Sequence, residues 1–305
     1  MTNPPHLPFV AYNAEWHRGL LTLTFNQLCE PNAKGESGQH TPGPYAAGAY
    51  HAGWIALQAL GLISGLALER KHMVADLRAT ASKRMLGDIL IAGCADFGLL
   101  SVVHQALGAA IGSTRITVVD RCAYPLRLCQ QYAQSAGFAI NTLQADLCDL
   151  ADNPVHDMVL GHSILSFFST AQRGHLTRRL VSQLNPTGVL ALYQSIRPGQ
   201  PHAVLAYSTA ETQNLCDEAV AAVPHHPELC RVGLDRWRDM VAAFCDAKHT
   251  FAVASAEETA ALLQTYGLQV LVKPMFDSTH TTHRAATPQS AYKKVVFLCE
   301  RKAAP

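Results

Sequence analysis

The sequence carries little charge and few aromatic residues for its length. Only 15% of its 305 residues are charged and 7% are aromatic, and 24 Lys and Arg nearly balance 23 Asp and Glu, which leaves a net charge of +1. Proteins that neutralise nucleic-acid phosphates carry a concentrated excess of Lys and Arg, so nucleic acid is not expected as a partner. The basic pairs Arg178-Arg179 and Lys293-Lys294 are interpreted as solvated faces.

The sequence also lacks a Cys-x-x-Cys pair, and its nine cysteines are an odd number. They lie in apolar stretches, which is typical of buried thiols in a reducing compartment, so a cytoplasmic location is expected. The histidine pairs 225–226 and 280/283 have no Cys or acidic partners at ligand spacing. No metal is therefore predicted. The Pro-rich N-terminus lacks the basic and apolar regions of a signal peptide.

One segment, residues 45–68, is almost uncharged and long enough to cross a bilayer. Four glycines, together with His51, Gln58 and Ser64, interrupt its apolar surface. These residues favour a helix packed tightly within protein, and no membrane partner is expected.

The most informative segment is Gly-Asp-Ile-Leu-Ile-Ala-Gly-Cys-Ala-Asp-Phe-Gly at residues 87–98. Its apolar residues 89–92 predict a buried strand, Gly93 permits a tight turn, and a helix is predicted over 99–108. A second strand over 116–120 ends in Asp120. This arrangement predicts a nucleotide-type pocket.

The rest of the chain continues the alternation of strands and helices. Helices are predicted over 123–135, 171–183 and 256–266, and strands over 138–143, 155–160, 189–194, 268–274 and 292–299. About seven strands in this order indicate a parallel sheet covered on both faces, with ligands beyond the carboxyl ends of the strands. The side chains expected at that edge include Asp120, Asp146 and His162.

These motifs resemble those of the class I S-adenosylmethionine (SAM) dependent methyltransferases. The resemblance implies that Asp120 binds the ribose, that Asp146 accepts from the adenine amino group while Leu147 packs on the ring, and that residues after the fourth strand face the sulfonium. The implied cofactor-binding residues are Gly93, Cys94, Ala95, Asp96, Asp120, Arg121, Asp146, Leu147, His162 and Ser163. The turn departs from the family pattern: Ala95 and Phe97 replace glycines, and Ile91 replaces an acidic residue.

The implied fold class is α/β, a doubly wound, seven-stranded and mostly parallel sheet of the Rossmann-like methyltransferase type. Residues 1–85 are expected to form an N-terminal helical cap. Residues 86–305 are expected to form the SAM-binding α/β domain, with a helical insertion over 198–255 after the fifth strand.

Two residues are predicted to be catalytic. His162 suits a general base or a positioning group, because its ordinary pKa lies near neutrality, although it could instead lie behind the site or beside the adenine. Tyr50 is the other, since an aromatic face attracts a sulfonium cation. The predicted substrate-binding residues are Tyr12, Trp16, Tyr45, Trp54, Tyr193, Trp237 and Arg238. Core packing is the alternative for the aromatic residues, and a solvated helix face for the arginine.

The expected reaction is methyl transfer from SAM to a small-molecule acceptor, of the kind found in secondary metabolism. Two alternatives use the same ligand: cyclisation of SAM to azetidine-2-carboxylate and methylthioadenosine, as in azetidine-2-carboxylate synthases, or SAM binding without catalysis. A third is a doubly wound domain for another nucleotide. A dinucleotide is disfavoured because the turn lacks the second glycine and Asp96 would repel a pyrophosphate. The sequence leaves open whether the chain is a monomer or a homodimer.

Overall fold

The computed structural model of the chain describes residues 49–63, 65–200, 203–226, 233–277 and 292–301. Its internal contacts divide the chain into two units. The larger unit contains Leu66–Val204, Thr250–Thr281 and Ser290–Pro305, and it holds the main sheet. The smaller unit contains Met1–Gly65, Leu205–His249 and Thr282–Gln289, and its described part is mainly helical.

The main sheet has seven strands in the order β3-β2-β1-β4-β5-β9-β8. A separate two-stranded sheet pairs β6 with β7. The strands are β1 (Asp88–Ala92), β2 (Arg115–Asp120), β3 (Asn141–Gln144), β4 (His156–His162), β5 (Leu184–Ile196), β6 (Val204–Leu205), β7 (Thr250–Phe251), β8 (Leu268–Asp277) and β9 (Lys293–Arg301).

The first five strands run parallel, and β9 runs antiparallel to both β5 and β8. All five residues of β1 are buried, as are most residues of β4, β5 and β9. Continuous apolar runs of this kind suit strands that are covered on both faces. The mostly parallel, doubly wound sheet expected from the sequence is confirmed.

The helices lie in both units. In chain order they are α1 (Ala49–Ala59), α2 (Arg70–Ala81), α3 (Gly98–Leu107), α4 (Ala123–Ala136), α5 (Thr170–Ser182), α6 (Thr209–Ala222), α7 (Leu234–Ala247) and α8 (Ala256–Thr265). Local signals set their ends: a capping box of Ser169 and Gln172 starts α5, and Gly137 in the left-handed region ends α4. Helices α1, α6 and α7 belong to the smaller unit.

Helix α1 packs tightly on α7, as the glycines of residues 45–68 predicted. A Cβ atom on Gly53 would lie only 2.3 Å from the Phe244 Cβ atom, so this close approach requires glycine. The helix has only 11 residues and is followed by a turn at Gly61 with φ of 71°. No described helix is long and apolar enough to cross a membrane.

Several elements differ from the sequence-based expectations, and the short strands β6 and β7 lie within residues 198–255, expected to be a helical insertion. Strand β3 begins at Asn141 rather than at residue 138, because Phe138 packs against the rings of His104 and Tyr132 instead of joining the sheet. Helix α2 lies within residues 1–85, expected to form a helical cap, but its bounds were not predicted, and it belongs to the sheet unit. Its N-terminal end brings Glu69 to the site described next.

Candidate active site

The turn after β1 forms one wall of the site at the carboxyl edge of the sheet. Gly93 has φ of 77°, and its N–H donates to the Val119 carbonyl at 2.8 Å. A Cβ atom there would lie 2.8 Å from Ile164 Cδ1 and 3.9 Å from Leu147 Cδ1. The loops after β1, β3 and β4 therefore meet at this glycine, as the sheet order requires.

Asp120, the last residue of β2, is held by two backbone donors. Its Oδ2 accepts from the Cys94 N–H at 2.9 Å and its Oδ1 from the Cys122 N–H at 2.8 Å. This orientation ties the carboxylate to the glycine turn. A carboxylate has about four acceptor positions, so these two bonds alone do not saturate it.

Asp146 lies beyond the end of β3 and starts a short 3₁₀ turn. Its Oδ1 accepts from the Cys148 N–H at 2.9 Å, and its Oδ2 lies 3.5 Å from Arg121 Nε. Leu147 is 5% exposed and packs in the core below. Two residues predicted to bind cofactor, Arg121 and Asp146, thus pair with each other at this rim.

The turn residues between Gly93 and α3 are also fixed by local contacts. Asp96 is 7% exposed, and its Oδ1 accepts from the Gly98 N–H at 2.5 Å, which caps the start of α3. A hydrogen bond with the Cys129 thiol, burial and the nearby Asp120 and Asp96 charges raise the pKa of Cys94. Ala95, between them, is partly exposed.

The end of β4 carries a local conformational strain. Ser163 has φ of 53° and ψ of 17°, the left-handed region, and it is the only non-glycine residue with positive φ in the part of the chain that the structure describes. Its N–H donates to the Tyr193 carbonyl at 2.7 Å. A residue in this conformation costs free energy and persists only where surrounding contacts hold it, and such residues are often found at functional sites.

A buried ionic cluster lies beside this turn, and we call it the Glu-His-Lys cluster: Glu69, His162 and Lys294. His162 Nε2 lies 2.8 Å from Glu69 Oε2, and Lys294 Nζ lies 2.9 Å from Glu69 Oε1 and 3.2 Å from His162 Nε2. Lys294 also donates to Ser163 Oγ at 3.2 Å. The cluster joins the start of α2, the end of β4 and the start of β9.

The charges of this cluster shift the pKa values of two of its members. Burial works against ionisation of Glu69, but the positive charges and hydrogen bonds of His162 and Lys294 outweigh it and lower the pKa of Glu69 to about 2. Burial lowers the pKa of His162 below its ordinary value; Glu69 and Asp96 oppose this shift and Lys294 adds to it. At neutral pH Glu69 is therefore a carboxylate and His162 a neutral imidazole.

Two members of the cluster were missed by sequence reasoning. The interpretation of Lys294 as part of a solvated face was wrong: it is 4% exposed, because it lies inside a strand that is covered on both faces, whereas Lys293 is exposed. Glu69 was not considered at all. One signal was available, since Glu69 is the first charged residue after the uncharged run over 45–68.

The predicted aromatic and arginine residues are distributed over both units. In the smaller unit, Tyr50 accepts a hydrogen bond from Lys248 Nζ at 2.9 Å and stacks with Trp54 at 6.3 Å between ring centroids. Trp237 is fully buried, and Arg238 pairs with Asp217 at 2.7 Å on the surface. Tyr12, Trp16 and Tyr45 lie outside the described residues.

Tyr193 belongs to the sheet unit, on the strand next to His162. The register pairs His162 with Tyr193, and the tyrosine ring is fully buried. Its hydroxyl has no hydrogen-bond partner among the described residues. Burial, and then the charges of Asp76 and Glu69, raise the pKa of Tyr193. The hydroxyl is therefore neutral.

Comparison with known proteins finds similar solved structures at low sequence identity. No family model and no curated protein matches the chain. One similar solved structure is the 1,6-didemethyltoxoflavin-N1-methyltransferase of Burkholderia thailandensis, with 14% identity over 97% of this chain and 94% of that one and a TM-score of 0.48. A second is the N-methyltransferase NodS of Bradyrhizobium japonicum, with 16% identity over 81% of this chain and 99% of that one and a TM-score of 0.48. A third is the magnesium protoporphyrin IX methyltransferase of Synechocystis, with 15% identity over 77% of this chain and 78% of that one and a TM-score of 0.46.

The fold is Rossmann-like and of the methyltransferase type. This fold is apparent from the sheet itself, in which five parallel strands are followed by an antiparallel pair, with helices between the strands. The identities and TM-scores above are too low to give this chain an activity or a substrate. Those must come from its own residues.

Proposed function

We propose that the chain is an enzyme that transfers a methyl group from SAM to a small-molecule acceptor. The observation that supports this most is the placement of three features at one edge of the sheet. The Gly93 turn, the Asp120 carboxylate and the imidazole of His162 follow the neighbouring strands β1, β2 and β4. Ligands of doubly wound sheets bind at this edge.

The residues at the edge fit a nucleoside without phosphate. Asp120 ends β2 with a carboxylate, and one carboxylate can accept from both hydroxyls of a ribose. At the start of α3 the Gly98 N–H is already bonded to Asp96 Oδ1. A pyrophosphate would need that helix terminus and would meet the Asp96 charge there. SAM has no phosphate, so the capped helix favours it over a dinucleotide.

The proposed roles of the other cofactor residues follow from their positions. The backbone at Gly93 and Cys94 is proposed to approach the ligand closely, because Gly93 has no side chain and its φ of 77° suits a tight turn. Asp146 and Leu147, after β3, are proposed for the adenine, as the resemblance implies. SAM supplies a methyl group activated by a sulfonium, so this chain's residues have to align the acceptor, exclude water and remove a proton.

His162 is proposed as the group that removes the proton. Its imidazole is neutral at neutral pH and its side chain is 21% exposed, so it can accept a proton from an acceptor O–H or N–H. The net charge of +1 and the absence of a basic field over the whole sequence favour a small acceptor over nucleic acid.

The proposal is tested by identifying what the purified protein makes from SAM. The protein is incubated with SAM alone and with a panel of hydroxylated and amino metabolites, and products are identified by mass spectrometry. S-adenosylhomocysteine that appears only with an acceptor is the expected result. Methylthioadenosine from SAM alone would replace methyl transfer with cyclisation, and the absence of both would exclude an enzyme that consumes SAM.

The ribose contact is tested by calorimetric titration of SAM into an Asp120→Ala variant. Loss of a charged hydrogen-bond acceptor is expected to weaken SAM binding about 10- to 100-fold. Asp152→Ala is the matched control, because that carboxylate side chain is 72% exposed and pairs with Arg179 away from this edge. Equal SAM affinity in the two variants would remove Asp120 from the site. NAD titrated in parallel should not bind.

A further inference from the structure

We propose that Glu69 is a positioning residue, which holds His162 as its Nε2–H tautomer and leaves Nδ1 to take the proton of the acceptor, and that Lys294 holds the Glu69 carboxylate. The reaction in this statement rests on the proposed function. The tautomer, in contrast, is a property of the free protein and can be measured without SAM. Glu69 acts through the imidazole, and Lys294 acts through Glu69.

The contacts at Nε2 decide the tautomer. A carboxylate only accepts and an ammonium only donates, so Glu69 Oε2 at 2.8 Å requires hydrogen on Nε2, whereas Lys294 Nζ at 3.2 Å would require a lone pair. Glu69 is ionised, and a lone pair at the shorter distance would face its negative charge. The ammonium has two other acceptors, Glu69 Oε1 at 2.9 Å and Ser163 Oγ at 3.2 Å. Nε2 therefore carries the hydrogen, and the lone pair is on Nδ1.

The exposure of the three side chains supports this division of roles. The Glu69 and Lys294 side chains are 6% and 4% exposed, whereas that of His162 is 21% exposed. The imidazole is thus the member of the cluster that a ligand or solvent can reach. Its two partners lie behind it and are shielded from exchange with water.

The proton balance then follows from the charges. The acceptor's O–H or N–H bond breaks as the Nδ1–H bond forms, the acceptor gains its bond to the methyl carbon, and the pair of the broken carbon–sulfur bond stays on sulfur. The resulting imidazolium is stabilised by the Glu69 carboxylate. Lys294, 3.2 Å from Nε2, opposes this stabilisation and favours release of the proton to solvent.

An alternative is that Glu69 and Lys294 form a purely structural ion pair between α2 and β9. Buried ion pairs are weak stabilisers, because desolvation offsets the attraction, and apolar residues of similar size often serve as well. The structural alternative also gives no reason for a histidine as the third member or for the strained Ser163 beside it. The two accounts predict different results for the imidazole.

The first experiment records ¹⁵N NMR spectra of histidine-labelled protein without SAM, in which His162→Asn identifies the signal. The Nε2–H form is expected in the wild type. In Glu69→Gln the amide oxygen should turn to Lys294 and the NH₂ group to Nε2, so that the Nδ1–H form takes over. Lys294→Met should keep the Nε2–H form. Glu300→Gln is the control, because Glu300 lies on β9, like Lys294, but pairs with Arg84 in an exposed ion pair. It should leave the tautomer of His162 unchanged.

A wild-type Nδ1–H form, or a Glu69→Gln spectrum like that of the wild type, would overturn the proposal. The wild-type spectrum decides the tautomer by itself, so the proposal stays testable if a variant fails to fold. SAM binding is measured on the same samples. Failure of the wild type to bind SAM would overturn the proposed function and leave the tautomer assignment standing.

The second experiment uses turnover of SAM with an acceptor found in the product screen. Glu69→Gln should lower kcat on the order of 100-fold with little change in KM for SAM, because a misplaced lone pair removes general-base catalysis and not binding. A structural role predicts an unchanged kcat per folded molecule, and that result would overturn the positioning role while methyl transfer itself stood.

Discussion

Replacement of Lys294 by methionine should destabilise the protein in a way that depends on pH. The change removes a lysine side chain that is 4% exposed and leaves the Glu69 carboxylate, 6% exposed, without its ion-pair partner at 2.9 Å. Breaking a buried ion pair by removing one member costs about 3–5 kcal/mol of the free energy of unfolding. That full cost is expected near pH 8, where His162 is neutral.

At lower pH the imidazole can replace the lost cation. In the wild type the pKa of His162 lies below its ordinary value, so protonation there destabilises the fold as the pH falls. In Lys294→Met the pKa of His162 should rise from its wild-type value, because the Lys294 charge that lowers it is removed while the Glu69 and Asp96 charges that raise it remain; burial still works against protonation. The folded variant then takes up a proton at a higher pH than the folded wild type, so acidification costs the variant less stability.

The difference in the free energy of unfolding between wild type and variant should therefore shrink on acidification. One extra proton bound by the folded variant changes this difference by at most about 1.4 kcal/mol per pH unit, so the reduction between pH 8 and pH 5.5 is bounded at about 3.5 kcal/mol. Urea unfolding followed by circular dichroism at four pH values measures it. Groups that titrate in the same way in the wild type and the variant cancel from this difference in the free energy of unfolding.

Lys273→Met is the matched control for this experiment. It also removes a strand lysine bonded to a carboxylate, Asp76 at 2.9 Å, but its side chain is 42% exposed. We expect a cost of at most about 1 kcal/mol, independent of pH. If Lys294→Met behaved in the same way, or if its cost stayed constant between pH 8 and 5.5, the coupling of His162 to the buried pair would be refuted.

Two further predictions concern the sheet unit. Gly93→Ala should lower the free energy of unfolding by about 1–3 kcal/mol and weaken SAM binding, since its φ is 77° and the new Cβ would lie 2.8 Å from Ile164 Cδ1. Urea unfolding measures the stability and calorimetry measures the binding. Gly112→Ala is the control, because a Cβ atom there would have no neighbour within 4 Å. Tyr193→Phe should be neutral or stabilise by about 1 kcal/mol, because the lost hydroxyl is buried with no partner among the described residues; a loss above about 1 kcal/mol in urea unfolding would show that this hydroxyl is bonded.

Much of the sheet could be predicted from the sequence because its signals are local. The buried run ending at Ala92, the turn glycine at Gly93 and the acidic end of β2 at Asp120 follow from apolar patterning and from the conformational freedom of glycine. The bounds of helix α2 escaped prediction, since its polar composition contains only a narrow buried stripe of Met73, Val74 and Leu77. Its burial depends on the surface it meets and not on its own pattern.

The sequence by itself determined the succession of the seven main strands and of the helices between β1 and β5, and with it the edge of the sheet where Gly93, Asp120 and His162 lie. Only the tertiary structure decided which charges surround that histidine. Glu69 and Lys294 are separated from His162 by 93 and 132 residues, and no local pattern links them. Electrostatic interactions depend on distance in space and on burial, so the protonation state and tautomer of His162 appear only when α2 and β9 are packed beside β4.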